Sequence, residues 1–334
     1  MKKVNLKDNH HFALYGSTAL AEPGFKRFSD NELNMIKVVS PRVYELAKES
    51  SGIQAHFVTN SKQIELSIKF NKIFSMTNSS PIGQMGVDLY VFDNKSNQYV
   101  FCGVSRPEIN QTSYDTLLVE FETNEMRKFI LNLPLFVAVE ELTLSFEDNS
   151  VVLPLQENKK KIMMYGTSIL HGACASRPGM SYSNILSRRL NVEILNYGFN
   201  GNAHNEKEIA QILGKRNVDL FIIDSEANAY DDSILERLEL FIKTFKQYQP
   251  HTKIIITNRI PYFKDHLEKE RQLKREKYDA YFNYLKDTIK DLIFVDVYQE
   301  LCDDLEITGD GLHPNDYGMV KMANIFEKII KTHL

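Results

Sequence analysis

The sequence contains no tryptophan, only three cysteines and no long apolar run. Its cysteines, Cys102, Cys174 and Cys302, form no Cys-x-x-Cys pair, which argues against a disulfide framework and against a zinc site. No stretch approaches the roughly 18 apolar residues of a membrane span, and no apolar segment follows the basic N-terminal residues. These absences predict a cytoplasmic protein without a membrane partner.

An excess of positive charge is also absent. The net charge of −4 and the isoelectric point near 6.2 give no electrostatic basis for binding nucleic acid or an anionic membrane. Acidic residues accompany the basic residues of segment 269–277, which predicts a solvated helix face rather than a binding patch. The 334 residues, 43% of them hydrophobic and 25% charged, are typical of a globular protein with two domains.

The N-terminal half has the pattern of an all-β domain. Its first residues, up to roughly position 40, hold no long periodic segment. Apolar residues then alternate with polar ones at 53–58 and 64–70, which predicts two half-buried antiparallel strands joined by a turn at 60–62. Further strands are predicted at 87–92, 98–102, 116–121, 128–132, 141–146 and 150–155. Many short strands with polar turns favour a β-sandwich of jelly-roll type.

The C-terminal half alternates strands with helices. A charged connector at 156–161 precedes it, so we predict domains at 1–157 and 158–334. Strands are predicted at 162–165, 193–197, 219–224, 253–257 and 292–297, and helices at 182–190, 206–215, 233–248, 265–290 and 316–332. Five strands separated by helices predict an α/β fold with a doubly wound, flavodoxin-like parallel sheet.

Residues that could take part in catalysis or ligand binding follow the predicted strands. Ser168 follows the first strand, Gly201 the second and Asn228 the third, and ligands bind at this edge of open parallel sheets. Near the C-terminus, Asp310 lies three residues before His313 with a glycine between them, so its carboxylate can reach the imidazole. The imidazole then faces outward as a base for a serine.

These residues resemble a known superfamily. Ser168, Gly201, Asn228 and His313 match, in order, the four blocks of the SGNH (GDSL-like) hydrolases. The amino-acid sequence of segment 166–180 is similar to the corresponding segment of two-domain GDSL-like acylhydrolases. Their N-terminal β-sandwich is named for a Gly-x-Asp-Leu-Tyr motif, which residues 86–90 supply.

The resemblance implies roles for these residues. Ser168 would be the nucleophile, His313 the base and Asp310 its orienter, while the backbone N–H groups of Ser168 and Gly201 and the side chain of Asn228 would form the oxyanion hole. The third block differs from the Cys-Leu-Pro-Asn-Met motif frequent in the family. Its sequence is Ser-Glu-Ala-Asn-Ala at 225–229. Glu226 therefore adds a charge near the predicted acyl site.

Other candidates have more than one interpretation. Arg177 either binds a polar group of the substrate or forms an ion pair that holds its loop. His171 is a rival base, although a base from another element suits attack geometry better. Asp88 and Tyr90 are interpreted as packing or interdomain hydrogen-bonding residues. Gly198-x-x-Gly201 is too short for a dinucleotide motif, and the acidic run at 303–310 lacks the spacing of a calcium loop, so neither a cofactor nor a metal is expected.

The sequence thus predicts a serine esterase that acts on a small-molecule acyl ester. The small residues Gly172 and Ala173 near Ser168 favour a short acyl group such as acetyl, and an acetylated sugar or glycoconjugate is the expected substrate. A thioesterase or acyltransferase with the same triad is an alternative, and so is a carbohydrate-binding module without catalysis. The oligomeric state, and whether the β-sandwich contributes to the active site, remain open at this point.

Overall fold

The computed structural model describes residues 1–72 and 75–334, and its N-terminal half forms two antiparallel sheets. One sheet has the strand order β1-β9-β4-β7, and the other has the order β10-β3-β8-β5-β6 with β2 paired to β3. The elements of this half are β1 (Lys2–Asn5), β2 (Ala13–Tyr15), α1 (Asp30–Val39), α2 (Pro41–Ala47), β3 (Gln54–Thr59), β4 (Gln63–Phe70), α3 (Pro81–Met85), β5 (Asp88–Asp93), β6 (Gln98–Val104), β7 (Ser113–Glu120), β8 (Arg127–Asn132), β9 (Val139–Phe146) and β10 (Val152–Pro154).

The two sheets enclose one hydrophobic core, which confirms the predicted β-sandwich. Ile64, Leu66 and Ile68 of β4 face Phe57 of β3 and Leu131 of β8 across it, and all five side chains are buried. The intervening polar residues of β4 lie on the outer face, so the period of two correctly identifies its buried side.

The predicted pairing of β3 with β4 is wrong. β3 pairs with β2, β8 and β10, whereas β4 pairs with β7 and β9, so the turn at 60–62 carries the chain from one sheet to the other. β3 is also not half-buried, because Gln54 and His56 on its outer face are covered by the second half of the chain. Ser187 donates a hydrogen bond to Gln54 Oε1 at 3.0 Å from that half. Alternation identifies faces but does not identify neighbours.

Two helices occupy part of the region without long periodicity. Ser29 caps α1 in a reciprocal arrangement with Glu32, and Ser40 caps α2, which has Pro41 at its first position. Each helix buries only two or three side chains, a pattern too short to predict a helix from periodicity. Both helices pack on the parallel sheet of the second half rather than on the sandwich core.

The second half contains the predicted five-stranded parallel sheet, with strand order β12-β11-β13-β14-β15. Its elements are β11 (Lys161–Gly166), α4 (Ser168–His171), α5 (Tyr182–Leu190), β12 (Glu193–Gly198), α6 (Lys207–Gly214), β13 (Leu220–Asp224), α7 (Ser233–Tyr248), β14 (Lys253–Thr257), α8 (Lys269–Thr288), β15 (Leu292–Val295), α9 (Val297–Leu301) and α10 (Asp316–His333). Helices α6, α7 and α8 cover one face and α5, α9 and α10 the other, so the doubly wound α/β fold is confirmed.

The strand order places a switch point beside β11. From β11 the chain first adds β12 on one side, then crosses back and adds β13 on the other. Ligand crevices in open α/β sheets form at the carboxyl ends of strands where the order reverses. Ser168 comes two residues after the end of β11, directly at this crevice. Among the helices of residues 1–72 and 75–334, none combines the length and apolar character needed to cross a membrane.

Candidate active site

Ser168 is the first residue of α4, directly after the tight turn that follows β11. The Thr167 side chain caps α4 by accepting a hydrogen bond from the backbone N–H of Ile169. Gly166 precedes it because β13 passes very close, and a Cβ there would lie 2.6 Å from the carbonyl oxygen of Asp224. The hydroxyl of Ser168 is thereby held at the strand end, where His313 approaches it from a different part of the chain.

The structure brings Ser168, His313 and Asp310 into one line of hydrogen-bonding contacts. Ser168 Oγ lies 2.9 Å from His313 Nε2, and His313 Nδ1 lies 2.8 Å from Asp310 Oδ2. The other carboxylate oxygen of Asp310 accepts the backbone N–H groups of Leu312 and His313, which closes the turn. Gly311 in that turn has a φ of +84°, a left-handed conformation that favours glycine.

The carboxylate of Asp310 is held in its ionised form. Partial burial works against the charge, but hydrogen bonds from the His313 backbone, the Asn78 amide and the His313 ring outweigh it and hold the pKa of Asp310 well below its ordinary value. An ionised carboxylate at Nδ1 favours the tautomer in which Nε2 is free to accept the proton of Ser168.

Asn78, from the loop between β4 and α3, also contacts this pair. Its Nδ2 donates to Asp310 Oδ2 at 2.9 Å and lies 3.3 Å from His313 Nδ1. The neighbouring Ser79 Oγ accepts the backbone N–H of Cys174 at 3.1 Å, which ties the same loop to the segment after α4. The sandwich half therefore reaches the candidate site. Sequence reasoning missed Asn78, because an asparagine in a Ser/Asn-rich loop gives no signal of a distant contact.

Gly201 and Asn228 line the same cavity as Ser168 and His313, a space of about 480 Å³. Gly201 has a φ of +70° and open space where a Cβ would stand, so its backbone conformation rather than crowding favours glycine. Asn228 Oδ1 accepts the backbone N–H of Ala203 at 3.0 Å, which fixes the amide and leaves its Nδ2 as the donor group. The predicted roles of these residues remain predictions, but the structure does bring all of them together.

Glu226 lies in the wall of this cavity, as the sequence suggested. Its Oε2 accepts the backbone N–H of Arg259 at 2.8 Å, and its Oε1 is 3.7 Å from Arg259 Nε. Burial raises the pKa of Glu226 to about 7 despite this cation. Arg259 does not neutralise it fully, because its guanidinium also forms a two-pronged contact with Asp265 at 2.6 and 2.9 Å.

Of the two interpretations of Arg177, the structure favours the ion pair, because the described residues that line the cavity do not include Arg177. Its guanidinium instead contacts Asp88 Oδ2 at 2.8 Å and the hydroxyl of Tyr90. Asp88 is fully buried and also accepts the backbone N–H of Gly179. A buried carboxylate requires such partners, so Arg177 acts as the loop-holding ion pair rather than as a substrate-binding residue.

These contacts also explain the Gly-x-Asp-Leu-Tyr segment at 86–90. Gly86 ends α3, where a Cβ would lie 2.4 Å from the carbonyl oxygen of Ile82. Leu89 points into the sandwich core, while Asp88 and Tyr90, on the opposite face of β5, hold the loop at 177–179. The motif therefore joins the two halves of the chain, in agreement with the interdomain interpretation.

His171 does not approach Ser168 Oγ as a rival base. Its ring is fully buried and stacks on Phe136, with Nε2 placed 2.8 Å from the Leu135 carbonyl oxygen and 3.0 Å from a Glu49 oxygen. Burial lowers the pKa of His171. Gly172 likewise packs on Leu135 rather than on the cavity, so the small residues after α4 do not shape the acyl site.

One grouping of metal-ligand types lies at the site. A ligand atom from each of Cys174, Asp310 and His313 lies within 4.8 Å of the others. Burial raises the pKa of the Cys174 thiol to about 12, which keeps the thiol protonated. The Asp310 carboxylate and the His313 ring are hydrogen-bonded to each other. Such a set suits proton transfer better than metal binding.

The basic segment 269–277 is exposed or half-exposed, as predicted, but one side of it also borders the Ser168 cavity, which its mixed charges did not predict. Arg271, Lys274, Arg275 and Tyr278 of α8 line the Ser168 cavity. These positions recur at helical spacing, so they lie on one side of α8. The acidic residues of the segment lie at other positions around the helix and do not line the cavity.

Comparisons with known proteins agree with this architecture. Residues 159–331 match the GDSL-like Lipase/Acylhydrolase family, and residues 5–152 match the family described as the N-terminus of SGNH hydrolase-type esterases, GxDLY. A Bacteroides ovatus protein assigned to the GDSL-like lipases is 29% identical and superposes with a TM-score of 0.90, over 99% of this chain and 97% of its own. No curated protein matches the chain.

Two further solved structures share the fold at lower identity. The salicylyl-acyltransferase SsfX3 of a tetracycline biosynthetic pathway is 14% identical, with a TM-score of 0.73 over 99% of this chain and 97% of its own. A family two carbohydrate esterase from Clostridium thermocellum is 14% identical, with a TM-score of 0.61 over 84% of this chain and 92% of its own. On the strength of the family match over more than half of its length, the chain belongs to the GDSL-like lipase/acylhydrolase family and is an SGNH-type hydrolase with an N-terminal GxDLY domain.

Proposed function

We propose that the protein is a serine esterase that removes a small acyl group, an acetyl group in the first instance, from a carbohydrate or glycoconjugate. The observation that carries the esterase chemistry is the 2.9 Å contact between Ser168 Oγ and His313 Nε2, backed by the 2.8 Å contact between His313 Nδ1 and Asp310. The carbohydrate is suggested by the likeness to a carbohydrate esterase, and the acetyl group by the likeness to an acetyl xylan esterase from Butyrivibrio proteoclasticus.

In this mechanism Ser168 Oγ attacks the ester carbonyl while His313 Nε2 takes its proton. Asp310 holds the ring in the required tautomer and stabilises the imidazolium. The tetrahedral oxyanion accepts hydrogen bonds from the backbone N–H groups of Ser168 and Gly201 and from Asn228 Nδ2. His313 then protonates the leaving alcohol, and a water molecule, deprotonated by the same ring, releases the acid from Ser168.

A series of p-nitrophenyl esters from acetate to octanoate tests the substrate class. We expect kcat/KM to be highest for acetate or butyrate and to fall at least tenfold towards octanoate, because a long alkyl chain would have to displace water from the carboxyl group of Glu226 and the amide of Asn228 in the cavity wall. Initial rates, corrected for spontaneous hydrolysis, give the ranking. A rate that rises with chain length would replace this proposal with a lipase or thioesterase function.

Acyl transfer is the second candidate. The likeness to a salicylyl-acyltransferase favours it, since both reactions use the same acyl-enzyme and differ in the acceptor. Adding an alcohol such as glycerol or glucose to the acetate assay separates the two reactions. Hydrolysis yields one acetate per p-nitrophenol released, whereas transfer yields an acetylated alcohol at the expense of acetate.

We expect Asn78→Ala to lower kcat about 5- to 30-fold with KM nearly unchanged. The change removes one charge-assisted hydrogen bond to Asp310, which is worth about 1.5–3 kcal/mol, part of it expressed in the transition state. Steady-state rates for wild type, Asn78→Ala and Asn78→Ser decide the point, because serine can keep a donor at this position.

Asn94→Ala, in the exposed turn between β5 and β6, serves as the matched control and should leave both constants unchanged. A purely structural role for Asn78 would instead lower the thermal midpoint and reduce the active fraction without changing kcat per active site. Titration with a fluorophosphonate counts those sites. An unaltered kcat per active site in Asn78→Ala would remove Asn78 from the mechanism.

A further inference from the structure

The Ser168 cavity is lined by an unusual number of cations. Arg271, Lys274 and Arg275 reach it from one side of α8, and Arg259 reaches it from the segment after β14. Glu226 is the only carboxylate among its described lining residues. The protein as a whole carries a net charge of −4, so this concentration of positive charge is local to the site.

Apart from Glu226, which lies 3.7 Å from Arg259 Nε, the carboxylates that pair with the arginines lie outside the cavity lining. Arg275 contacts Asp279 at 2.8 Å, and Arg259 contacts Asp265 at 2.6 Å. Arg271 is paired with Glu268. These acids fix the positions of the guanidinium groups, and the cationic side chains themselves line the cavity.

Lys274 differs from the three arginines. Its Nζ donates to the backbone carbonyl oxygens of Ala229 at 3.1 Å and Tyr230 at 3.4 Å, directly after Asn228. No carboxylate of the described residues lies within ion-pair distance of it, although Asp231 is close enough to interact through charge. Lys274 is therefore an exposed ammonium group beside the predicted oxyanion site, with its charge largely uncompensated.

Two polar atoms of lining residues also lack partners among the described residues. The hydroxyl of Tyr262 and Nε of Arg275 are shielded from solvent and make no hydrogen bond. Buried polar groups are normally hydrogen-bonded, so these two atoms retain the capacity to bind a further partner. Burial of Glu226, which raises its pKa to about 7, further reduces the negative charge of the cavity at neutral pH.

We propose that the ester bound in this cavity carries an anionic group, a carboxylate or a phosphate, which Lys274 and the arginines of α8 hold while Ser168 attacks the acyl carbon. This inference rests on the esterase function proposed above and narrows its substrate class to esters that carry an acidic group. Arginine and lysine are the side chains that bind carboxylates and phosphates, and charge complementarity selects substrates more strongly in a partly enclosed site than on an open surface.

Matched pairs of esters test the proposal on the wild-type protein. In the first pair, 4-acetoxybenzoate carries a carboxylate on the alcohol side, and its methyl ester is the neutral counterpart. In the second pair, mono-4-nitrophenyl glutarate carries the carboxylate on the acyl side, and its methyl ester is again neutral. Each rate is divided by the hydroxide rate of the same ester. In at least one pair we expect the anionic member to have a kcat/KM at least tenfold higher, and this advantage should shrink in 0.5 M NaCl.

Substitutions in α8 test whether this helix causes the preference for anionic esters. Lys274→Met should reduce the anionic-to-neutral ratio of kcat/KM to about two or less, and Lys274→Glu should invert it. Lys277→Met is the matched control, because Lys277 lies on the same helix, does not line the cavity and pairs with Asp232. It should leave the ratio at the wild-type value. Equal kcat/KM for anionic and neutral esters in both pairs, or a preference that survives in Lys274→Glu, would overturn the proposal.

Binding to Ser168→Ala separates this inference from the esterase function. Isothermal titration of that variant with 4-acetoxybenzoate and mono-4-nitrophenyl glutarate, each against its methyl ester, measures recognition without turnover. At least one anionic member should bind at least tenfold more tightly, and Lys274→Met should remove the difference. If wild type hydrolyses no ester yet Ser168→Ala shows this selectivity, the function fails and the anion site stands. If neutral esters are hydrolysed and neither anion is preferred in binding, the anion site fails alone.

Discussion

Replacing Ser168 with alanine is expected to lower kcat for ester hydrolysis by about 10⁴-fold or more. The hydroxyl that would attack the ester is removed, and the remaining groups offer only oxyanion stabilisation and binding, which in serine hydrolases leave a small residual rate. The measurement is the initial rate of p-nitrophenyl acetate hydrolysis at enzyme concentrations high enough to detect a 10⁵-fold loss. A variant within tenfold of wild type would reject Ser168 as the nucleophile.

The fold should survive this change. In the described structure the Ser168 hydroxyl contacts the side chain of His313, and losing this contact leaves the packing intact. Alanine also has a high helix propensity, so it suits the first turn of α4. The thermal midpoint should therefore stay close to that of wild type. Ser67→Ala, on the outer face of β4, is the matched control and should keep full activity. A fluorophosphonate probe should label wild type and Ser67→Ala but leave Ser168→Ala unlabelled.

His313→Ala is expected to cost about 10⁵-fold in kcat, and Asp310→Asn about tenfold less. Alanine removes the base altogether, whereas the asparagine keeps a carbonyl oxygen for the backbone N–H groups of Leu312 and His313. Its amide group would, however, donate to Nδ1 and favour the wrong tautomer of the ring, so the loss stays large. Rates measured at the same pH for both variants give the ranking.

His333→Ala, at the end of α10, provides the histidine control and should match wild type. A larger loss in Asp310→Asn than in His313→Ala would contradict the division of roles between orienting acid and base. Equal thermal midpoints for the two variants are needed for the comparison, and the exposed position of the 310–313 turn makes that outcome the expected one.

The fold was largely predictable because its strands carry strong patterns. The uninterrupted apolar runs of β11, β13 and β14 signal strands buried on both faces, and the alternation in β4 signals one buried face. Long-range partners were not predictable. The pairing of β3 with β8 instead of β4 depends on packing between sheets, and α1 and α2 are stabilised by a surface that forms only when the parallel sheet exists.

The residues of the candidate site likewise include some that the sequence predicted and some that it did not. Ser168, Gly201, Asn228 and the Asp310–His313 pair occur in segments whose local spacing is itself informative. Asn78 reaches the site from another part of the chain, and its sequence context is that of an ordinary polar loop. The cavity-lining side of α8 was not predicted, because mixed charges describe average composition, whereas the helical period decides which charges share a side.

The ion pair between Asp88 and Arg177 constrains how the two halves of the protein can evolve. Asp88 belongs to the sandwich and Arg177 to the hydrolase half, and a buried carboxylate deprived of its partner costs about 3–5 kcal/mol, a large part of the 5–15 kcal/mol that stabilises an ordinary domain. A hydrolase half that lacks this arginine would leave Asp88 buried without its cation, so recombination with such a half is expected to give a much less stable hybrid. At this contact the two halves are therefore expected to evolve together rather than to be exchanged independently.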